Sequence, residues 1–315
     1  MCGIAGMVAK SGPPDQAAVR RMSDALRHRG PDAEGLWIHG RAALGHRRLS
    51  IIDLSAEANQ PLFNENGSIG VVVNGEIYNF AQLRADLVAR GHTFLSNSDS
   101  EVVVHLYEEY GVDCVKRLAG MFAFALWDSR AERLVLARDR AGKKPLFYRK
   151  LPDGGVAFAS ELHALVRAFP HLPVTPNLAA IDEYLTLQYV PSPHTAYRDI
   201  FKLEAAHVGV IDGEGEIASH RYWSKPSGPE LSGSDEDLAR ELRHRLEEAV
   251  KRRLVSDVPI GAFLSGGIDS SVVVGLMATQ SSSPVETFTI GFPDASDSEL
   301  PWARTVARRY RTNHH

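Results

Sequence analysis

The sequence predicts two domains, an α+β domain followed by an incomplete α/β domain with a parallel sheet. Three observations predict this. They are the length of 315 residues, a segment rich in Pro, Ser and Gly from Lys225 to Asp235, and the strand–helix–strand–helix order after it. We expect the first domain at residues 2–200, a connecting segment and linker at 201–235, and the second domain at 236–315.

Composition and charge exclude several classes of protein. The contents of 44% hydrophobic and 23% charged residues are ordinary for a globular protein, and the net charge of −4 without a long basic run argues against a nucleic-acid partner. No apolar run approaches the roughly 18 residues of a membrane span, and the amino terminus lacks signal-peptide features. The two cysteines, Cys2 and Cys114, suit a reduced intracellular setting in a chain of this length, so we expect a cytoplasmic protein. The lack of a spanning run predicts no membrane partner. The thirteen histidines show no spacing typical of metal ligands.

The first domain mixes short apolar runs, typical of strands, with helical stretches. A β-rich run from Ser68 to Val73 predicts a strand, with Asn74-Gly75-Glu76 directly after it. Phe80 to Arg90 and Ser100 to Tyr110 have helical spacing and end at Gly91 and Gly111. Two hairpins are predicted further on, from the strand pairs Met121–Trp127 with Arg133–Ala137 and Phe147–Tyr148 with Val156–Ala159.

The second domain begins with an amphipathic helix. Leucines and a valine recur at four-residue spacing from Leu238 to Val250, with Ser234 or Asp235 as the N-cap. The following elements are predicted as strand Pro259–Leu264, helix Ile268–Thr279, strand Val285–Phe292 and helix Pro301–Arg311. Two strands are few for a parallel sheet that is buried on both faces, so we expect this domain to be incomplete.

Cys2 is the first candidate nucleophile. If Met1 is removed, Cys2 carries both a thiol and a free α-amino group, whose pKa of about 8 allows it to act as a base near neutrality. Gly3 allows the backbone to approach a substrate closely. Taken alone, so short a motif fits a coincidental cysteine better.

Other residues supply what a hydrolase needs to act on the side-chain amide of a free amino acid. Arg48 suits the α-carboxylate, and Glu76 with Asp99 suits the α-ammonium. The amide of Asn74 and the N–H of Gly75 suit the oxyanion of a tetrahedral intermediate. Taken singly, Arg48 fits a surface cation better, Asp99 a helix cap, and Asn74-Gly75 a hairpin turn.

Several motifs together resemble the signature of class II glutamine amidotransferases. They are Met1-Cys2-Gly3-Ile4-Ala5-Gly6, Arg27-His28-Arg29-Gly30-Pro31-Asp32, Arg48-Leu49-Ser50, Asn74-Gly75-Glu76-Ile77-Tyr78-Asn79, Ser98-Asp99, Met121-Phe122-Ala123-Phe124-Ala125, Arg138-Asp139 and Gly142-Lys143-Lys144-Pro145-Leu146. The resemblance implies an N-terminal-nucleophile fold, a four-layer αββα sandwich. It also implies Cys2, Asn74 and Gly75 as catalytic residues, and a glutamine site made of Arg48, Leu49, Ser50, Ile51, Ile52, Asn74, Gly75, Glu76 and Asp99.

A second motif, from Ser265 to Ser271, lies between a predicted strand and helix. Its glycines and the helix N-terminus suit an anion, Ser265, Ser270 and Ser271 can donate to phosphate, and Asp269 could help to hold Mg²⁺. A plain Gly-rich turn is an equal alternative from the motif alone. The motif is similar to the pyrophosphate loop of ATP pyrophosphatases.

Three further segments are similar to those of asparagine synthetases: Ser256-Asp257-Val258-Pro259-Ile260-Gly261, Tyr189-Val190-Pro191 and Arg221-Tyr222-Trp223. This resemblance implies an ATP site made of Leu264, Ser265, Gly266, Gly267, Asp269, Ser270 and Ile290, with Leu264 and Ile290 beside the adenine and ribose. It implies glutamine, ATP with Mg²⁺ and an acceptor, most simply aspartate, as ligands, with no organic prosthetic group and with a homodimer as one assembly.

Three alternatives stay open. They are another class II amidotransferase that makes an amino sugar or a purine precursor, a synthetase relative with a different acceptor, and an inactive fragment or interaction module. The motif from Ser265 to Ser271 argues against the first, and intact Cys2, Arg48, Asn74 and Asp99 argue against the third. The sequence does not identify the acceptor. We expect a C-terminally truncated chain that hydrolyses glutamine without making asparagine.

Overall fold

The protein is described by a computed structural model that covers residues 1–212, 215–228, 232–292 and 298–315. The chain forms two compact units, Met1–Pro226 and Ser227–His315. Their boundary lies in the segment that the sequence predicts as a linker, of which residues 229–231 lie outside the described part. The segment 201–235, which the sequence predicts as connecting, contributes to strands of the first unit at Ile200–Lys202, His207–Ile211 and Ile217–Arg221.

The first unit contains twelve strands and five α-helices among the described residues. Its strands are β1 (Gly3–Val8), β2 (Ala33–His39), β3 (Ala42–Arg48), β4 (Leu62–Phe63), β5 (Ile69–Ile77), β6 (Gly120–Asp128), β7 (Arg133–Arg138), β8 (Phe147–Lys150), β9 (Val156–Ala159), β10 (Ile200–Lys202), β11 (His207–Ile211) and β12 (Ile217–Arg221). Its helices are α1 (Gln16–Ala25), α2 (Phe80–Ala89), α3 (Val102–Tyr110), α4 (Leu162–Ala168) and α5 (Leu178–Leu187).

These strands form two antiparallel sheets of six strands, in the orders β10-β8-β9-β1-β3-β2 and β12-β11-β7-β6-β5-β4. The sheets face each other across an apolar core in which Ile4 and Leu44 of the first sheet meet Val72 and Trp127 of the second. Helices α1 and α4 cover the outer face of the first sheet, and α2 and α3 cover that of the second. The predicted αββα sandwich is confirmed.

The predicted hairpins β6–β7 and β8–β9 and the helices α2 and α3 are confirmed. Gly91 and Gly111 follow the two helices with φ of 103° and 55°, which other residues rarely adopt. Residues Asp99–Glu101 form a separate 3₁₀ turn before α3, in which the Ser98 side chain accepts from Ser100 N.

The prediction that Asn74-Gly75-Glu76 follows a strand is wrong. Strand β5 continues to Ile77, and these three residues pair with β6, Gly75 opposite Phe122. The apolar run ends at Val73, but backbone pairing continues because Gly75 lets the strands come close. A Cβ at Gly75 would lie 2.2 Å from the carbonyl oxygen of Met121.

The second unit contains α6 (Asp235–Lys251), β13 (Gly261–Phe263), α7 (Ile268–Gln280), β14 (Glu286–Phe288), α8 (Leu300–Tyr310) and β15 (Asn313–His314). The Ser234 side chain accepts from Asp237 N, as predicted for an N-cap. Strands β13, β14 and β15 form the predicted parallel sheet. The sequence does not predict β15, because two polar residues make no apolar run. No described helix has both the length and the apolar composition needed to span a membrane.

Candidate active site

Cys2 precedes the first strand of the sandwich, and its backbone and thiol are both held. The carbonyl oxygen of Cys2 accepts from Arg29 Nε at 2.9 Å, and Arg29 is fixed in turn by Glu161 at 2.7 Å. The sulfur lies 3.4 Å from Leu49 N and 3.6 Å from Leu49 O. Burial raises the pKa of the thiol, and the charges of Glu76 and Asp99 raise it further. The thiol therefore needs a base before it can attack.

The α-amino group in this chain belongs to Met1, so the nitrogen of Cys2 is part of a peptide bond. Burial lowers the pKa of this amino group below its ordinary value, which favours the neutral, basic form. The ammonium of Lys144 lies 3.1 Å from the Met1 sulfur and is itself almost fully buried. Burial lowers the pKa of Lys144 as well, although Glu76 opposes this shift.

Arg48 is a buried cation rather than a surface one. Its guanidinium donates to the carbonyl oxygen of Ser55 at 2.8 Å, to Asn59 Oδ1 at 2.9 Å and to the carbonyl oxygen of Asp53. It thereby holds the loop that follows β3 around itself. A direct contact between these terminal nitrogens and a ligand carboxylate, as the sequence predicts for Arg48, would require some of them to change partner.

The segment from Arg27 to Asp32 supports this loop. A Cβ at Gly30 would lie 2.3 Å from the carbonyl carbon of Arg47, so only glycine fits there. Asp32 N donates to the carbonyl oxygen of Arg48 at 3.0 Å, and the Asp32 carboxylate accepts from Ser50 N at 2.8 Å. The motif that begins at Arg27 therefore positions Cys2 through Arg29 and the Arg48 loop through Asp32.

The side-chain amide of Asn74 is fully buried. Neither its nitrogen nor its oxygen has a hydrogen-bond partner among the residues that the structure describes. Buried polar atoms without a partner are rare in native proteins, because each costs the free energy of desolvation. The amide thus keeps its hydrogen-bonding capacity unused within the described part of the chain.

Two carboxylates lie close to the thiol. Asp99 is buried and accepts from Ile77 N at 2.6 Å, and Glu76 is half-buried. Burial raises the pKa of Glu76, and the charge of Asp99 raises it further. Burial also raises the pKa of Asp99. A cation between the two groups would favour their charged forms.

A cavity beside Cys2 collects most of the predicted residues from four segments of the chain. It is lined by Cys2, Arg48, Leu49, Ile51, Ile52, Ala58, Gln60, Gly75, Glu76, Ser98, Asp99 and Ser100. Of the predicted glutamine-site residues, Ser50 and Asn74 do not line it. Sequence reasoning assigned no role to Ala58, Gln60, Ser98 or Ser100. Ser98 precedes Asp99 in a quoted motif, whereas Gln60 lies in none.

The candidate ATP loop follows β13 in the second unit. Gly266 has φ of 82°, and a Cβ there would lie 2.5 Å from the carbonyl carbon of Trp302. The hydroxyls of Ser265 and Ser270 are 2.9 Å apart, and Gly267 N donates to Ser265 Oγ at 3.2 Å. Asp269 is exposed in the first turn of α7. The loop holds its own conformation through these contacts.

Leu264 and Ile290, the two predicted neighbours of the nucleoside, differ in exposure. The Leu264 side chain is 1% exposed and packs with Val274 and Ala303, whereas Ile290 is 71% exposed. They follow the carboxyl ends of the adjacent parallel strands β13 and β14, where α/β sheets commonly bind ligands. Leu264 N donates to the carbonyl oxygen of Phe288 at 2.9 Å, and the carbonyl oxygen of Leu264 accepts from Thr289 Oγ1, so both backbone groups of Leu264 already have partners.

Residues 1–223 match the family model described as "Glutamine amidotransferase domain", and residues 241–315 match the one described as "Asparagine synthase". The chain is 36% identical over 338 residues to a putative glutamine-hydrolyzing asparagine synthetase 2 of Methanocaldococcus jannaschii, which covers 100% of this chain and 64% of that protein. It is 36% identical over 312 residues to asparagine synthetase 1 of Bacillus subtilis, covering 98% of this chain and 48% of that one. The chain thus spans about half to two thirds of these relatives.

Among solved structures, the glutamine phosphoribosylpyrophosphate amidotransferase of B. subtilis, complexed with ADP and GMP, resembles this chain with a TM-score of 0.53 at 18% identity. The alignment covers 100% of this chain and 65% of that one. At this level of identity the likeness concerns the fold.

Proposed function

Because this chain belongs to the glutamine amidotransferase family, we propose that its first unit hydrolyses glutamine with Cys2 as the nucleophile. The cavity beside Cys2 carries the proposal, since it is lined by one buried cation, Arg48, and by two carboxylates, Glu76 and Asp99. A free amino acid brings the complementary charges. Bound with its ammonium at the carboxylates, it would relieve the unfavourable electrostatics that raise their pKa values.

The chemistry proceeds through a thioester. After removal of Met1, the α-amino group of Cys2 takes the thiol proton as the sulfur attacks the amide carbon of glutamine. The side-chain amide of Asn74 and the N–H of Gly75 donate to the oxyanion that forms. The proton then passes to the leaving nitrogen and ammonia departs. Water hydrolyses the thioester, which releases glutamate and restores the thiol.

Arg48 contributes mainly its charge and the loop that it holds. Its contacts with Ser55, Asn59 and Asp53 already occupy both terminal nitrogens of the guanidinium. The loop carries Leu49, Ile51 and Ile52 into the cavity. We therefore assign Arg48 to attraction of the substrate carboxylate and to the shape of the glutamine site, with Ser50 as a backbone anchor on Asp32.

For the second unit we propose ATP binding at the loop from Ser265 to Ser271, supported by the match of residues 241–315 to the asparagine synthase model. In the complete protein, ammonia from the first site attacks a carboxylate that ATP has activated, and aspartate is the proposed acceptor. Asp269 suits Mg²⁺, because this ion takes one or two carboxylates together with phosphate oxygens. The reduced thiol that the mechanism needs fits a cytoplasmic location. A homodimer stays a prediction.

A different acceptor is the second candidate, because the motifs in this chain concern glutamine and ATP rather than the acceptor. Supplying glutamine, ATP and Mg²⁺, with aspartate or with other carboxylates, to a protein of the full length of the asparagine synthetase relatives separates the two candidates. Amide formation with aspartate alone supports the first, and amide formation with another carboxylate overturns it.

The glutaminase proposal is tested by glutamate release from glutamine. Cys2→Ala should reduce turnover to background, because no other group can form the thioester. The matched control is Cys114→Ala, which removes the other thiol, buried in the core under α3. Equal loss in both variants, or residual turnover in Cys2→Ala, would refute the assignment.

A further inference from the structure

A cluster of two histidines and two glutamates lies on the outer helical layer, apart from the Cys2 cavity. It consists of Glu65, His92, His105 and Glu108, whose ligand atoms all lie within 4.8 Å of one another. Glu65 follows β4, His92 follows α2, and His105 and Glu108 lie one turn apart on α3. Three separate segments thus converge on one point.

His105 is the unusual member of this cluster. Its side chain is fully buried, and neither ring nitrogen has a hydrogen-bond partner among the described residues. Glu108 Oε2 is also a buried atom without a hydrogen-bond partner among the described residues. A buried imidazole normally satisfies at least one nitrogen, because an unpaired polar atom in the interior costs free energy. Here Nδ1 instead faces the carboxylate oxygens of Glu65 at 3.5 Å and Glu108 at 3.9 Å.

The spacing of the ligand atoms suits a tetrahedral ion. His92 Nδ1 lies 3.0 Å from Glu65 Oε1 and 3.9 Å from Glu108 Oε2. Four ligands at the usual bond length of about 2.0–2.1 Å from Zn²⁺ would be about 3.3 Å apart. Only small side-chain shifts separate the observed distances from that value.

The surroundings also orient the ligands. The remaining nitrogen of His92 lies 3.3 Å from Glu109, and that of His105 lies 3.7 Å from Glu101. Asn64 Nδ2 donates to Glu108 Oε1 at 2.8 Å, which leaves Oε2 free to bind. Metal-bound histidines commonly point their second nitrogen at a carboxylate, which fixes the ring.

We propose that Glu65, His92, His105 and Glu108 form a structural Zn²⁺ site. Two imidazoles with two carboxylates are a donor set for zinc rather than for Mg²⁺, which prefers oxygen ligands alone. The divalent charge neutralises both carboxylates while the imidazoles stay uncharged. The ion ties the turn after β4 and the end of α2 to α3. The side chain of Glu65, 37% exposed, provides the entry path.

The test uses the full chain, stripped of metal with a chelator and titrated with ZnCl₂. We expect one tightly bound Zn²⁺ per chain and, at a hundredfold excess over Kd, a rise of roughly 5–10 °C in the unfolding midpoint of the first unit. MgCl₂ at the same concentration should give no shift. Co²⁺ should give the intense visible absorption of a tetrahedral site.

Variants separate this site from adventitious binding. Glu65→Gln should disturb folding little, since Glu65 is partly exposed. His105→Gln removes the buried ligand. Each variant should weaken Zn²⁺ binding at least about tenfold. The matched control is His315→Gln, which breaks a histidine–carboxylate pair of 2.7 Å that belongs to no cluster of three or more potential ligands among the described residues. A metal-free chain with the same midpoint in Zn²⁺ and in chelator would overturn the proposal. So would Zn²⁺ affinity that is unchanged in Glu65→Gln.

Discussion

The Cys2 cavity and the Ser265–Ser271 loop differ in how their polar groups are satisfied. At the Cys2 site, the Asn74 amide is buried without a hydrogen-bond partner in the described part of the chain, and the two carboxylates that line the cavity have raised pKa values. In the loop, the hydroxyls of Ser265 and Ser270 contact each other, and Asp269 is exposed. The first site holds unfavourable electrostatics that a bound cation would relieve, whereas the polar groups of the loop contact one another or solvent.

The difference indicates where substitutions will act. A group whose partner is the substrate can be removed with little loss of stability but with a large loss of activity. A group that holds a loop on itself contributes to stability first. The following changes test this division, from the largest expected effect to the smallest.

Retention of Met1 should abolish glutamine hydrolysis, because the α-amino group of Cys2 is then locked in a peptide bond. Chains with and without Met1 can be prepared by blocking methionine removal during expression and distinguished by intact mass. Glutamate release should follow the fraction of chains that begin with Cys2. Full turnover by a preparation that retains Met1 would show that another base activates the thiol.

Asn74→Ala should lower kcat by roughly 10²–10³ with little change in KM, which is the usual effect of losing one oxyanion donor. Stability should change little, since the amide has no partner to lose in the described structure. Asn177→Ala is the control. That residue caps α5 through Ala180 N, so its loss should lower stability by about 1 kcal/mol and leave kcat unchanged.

Arg48→Ala should raise KM more than it lowers kcat, because the charge acts on the ground state as well as on the transition state. Because Arg48 also holds the loop around Ser55, Arg48→Lys should recover part of the binding and none of the loop contacts. The measurement is kcat and KM for glutamine in Arg48→Ala and Arg48→Lys. A change confined to kcat would place Arg48 in the chemical step instead.

Gly266→Ala should destabilise the second unit by about 1–3 kcal/mol, because φ of 82° and the close carbonyl carbon of Trp302 both oppose a Cβ. Gly267→Ala is the matched control, since its Cβ would meet only Ser265 Oγ, at 3.3 Å. Chemical denaturation should separate the two variants, and glutamate release should be normal in both. Equal stability would contradict the strain argument.

Glu76→Gln should stabilise the free protein at neutral pH, by about 1 kcal/mol or roughly 2–4 °C after allowance for the partial exposure of Glu76. A carboxyl group whose pKa is raised by folding costs nothing below its ordinary pKa of 4.5 and destabilises progressively as the pH rises above it. Glu76→Gln should remove part of this loss of stability, because its side chain stays uncharged. It should also weaken glutamine binding, because one carboxylate for the ammonium group is gone. A thermal unfolding midpoint of Glu76→Gln lower than that of the unchanged chain at pH values above 4.5 would contradict this prediction.

Most residues of the Cys2 site could be predicted from the sequence, because they belong to short motifs whose side chains suit a nucleophile or the charges of a free amino acid. Cys2, Arg48, Glu76 and Asp99 all line the cavity. Gln60 was not predicted, since its place depends on a hydrogen bond from Val73 N at 2.5 Å that no local pattern encodes.

The fold was predictable to a similar extent. Apolar periodicity and glycine caps located α2 and α3, but the end of β5 was set by pairing with β6 rather than by hydrophobicity. Strand β15 and the histidine–glutamate cluster depend on contacts between distant segments. His92 and His105 lie in different segments, so their spacing along the chain carries no metal-ligand signal.

The central claim, that Cys2 is the nucleophile of a glutamine site, is tested most directly by a glutamine analogue that carries an electrophilic diazoketone in place of the side-chain amide. The account predicts one label per chain, located on Cys2 by peptide mass mapping, with none on Cys114 and with protection by excess glutamine. A label on Cys114, or an unlabelled Cys2 in a chain that lacks Met1, would contradict it.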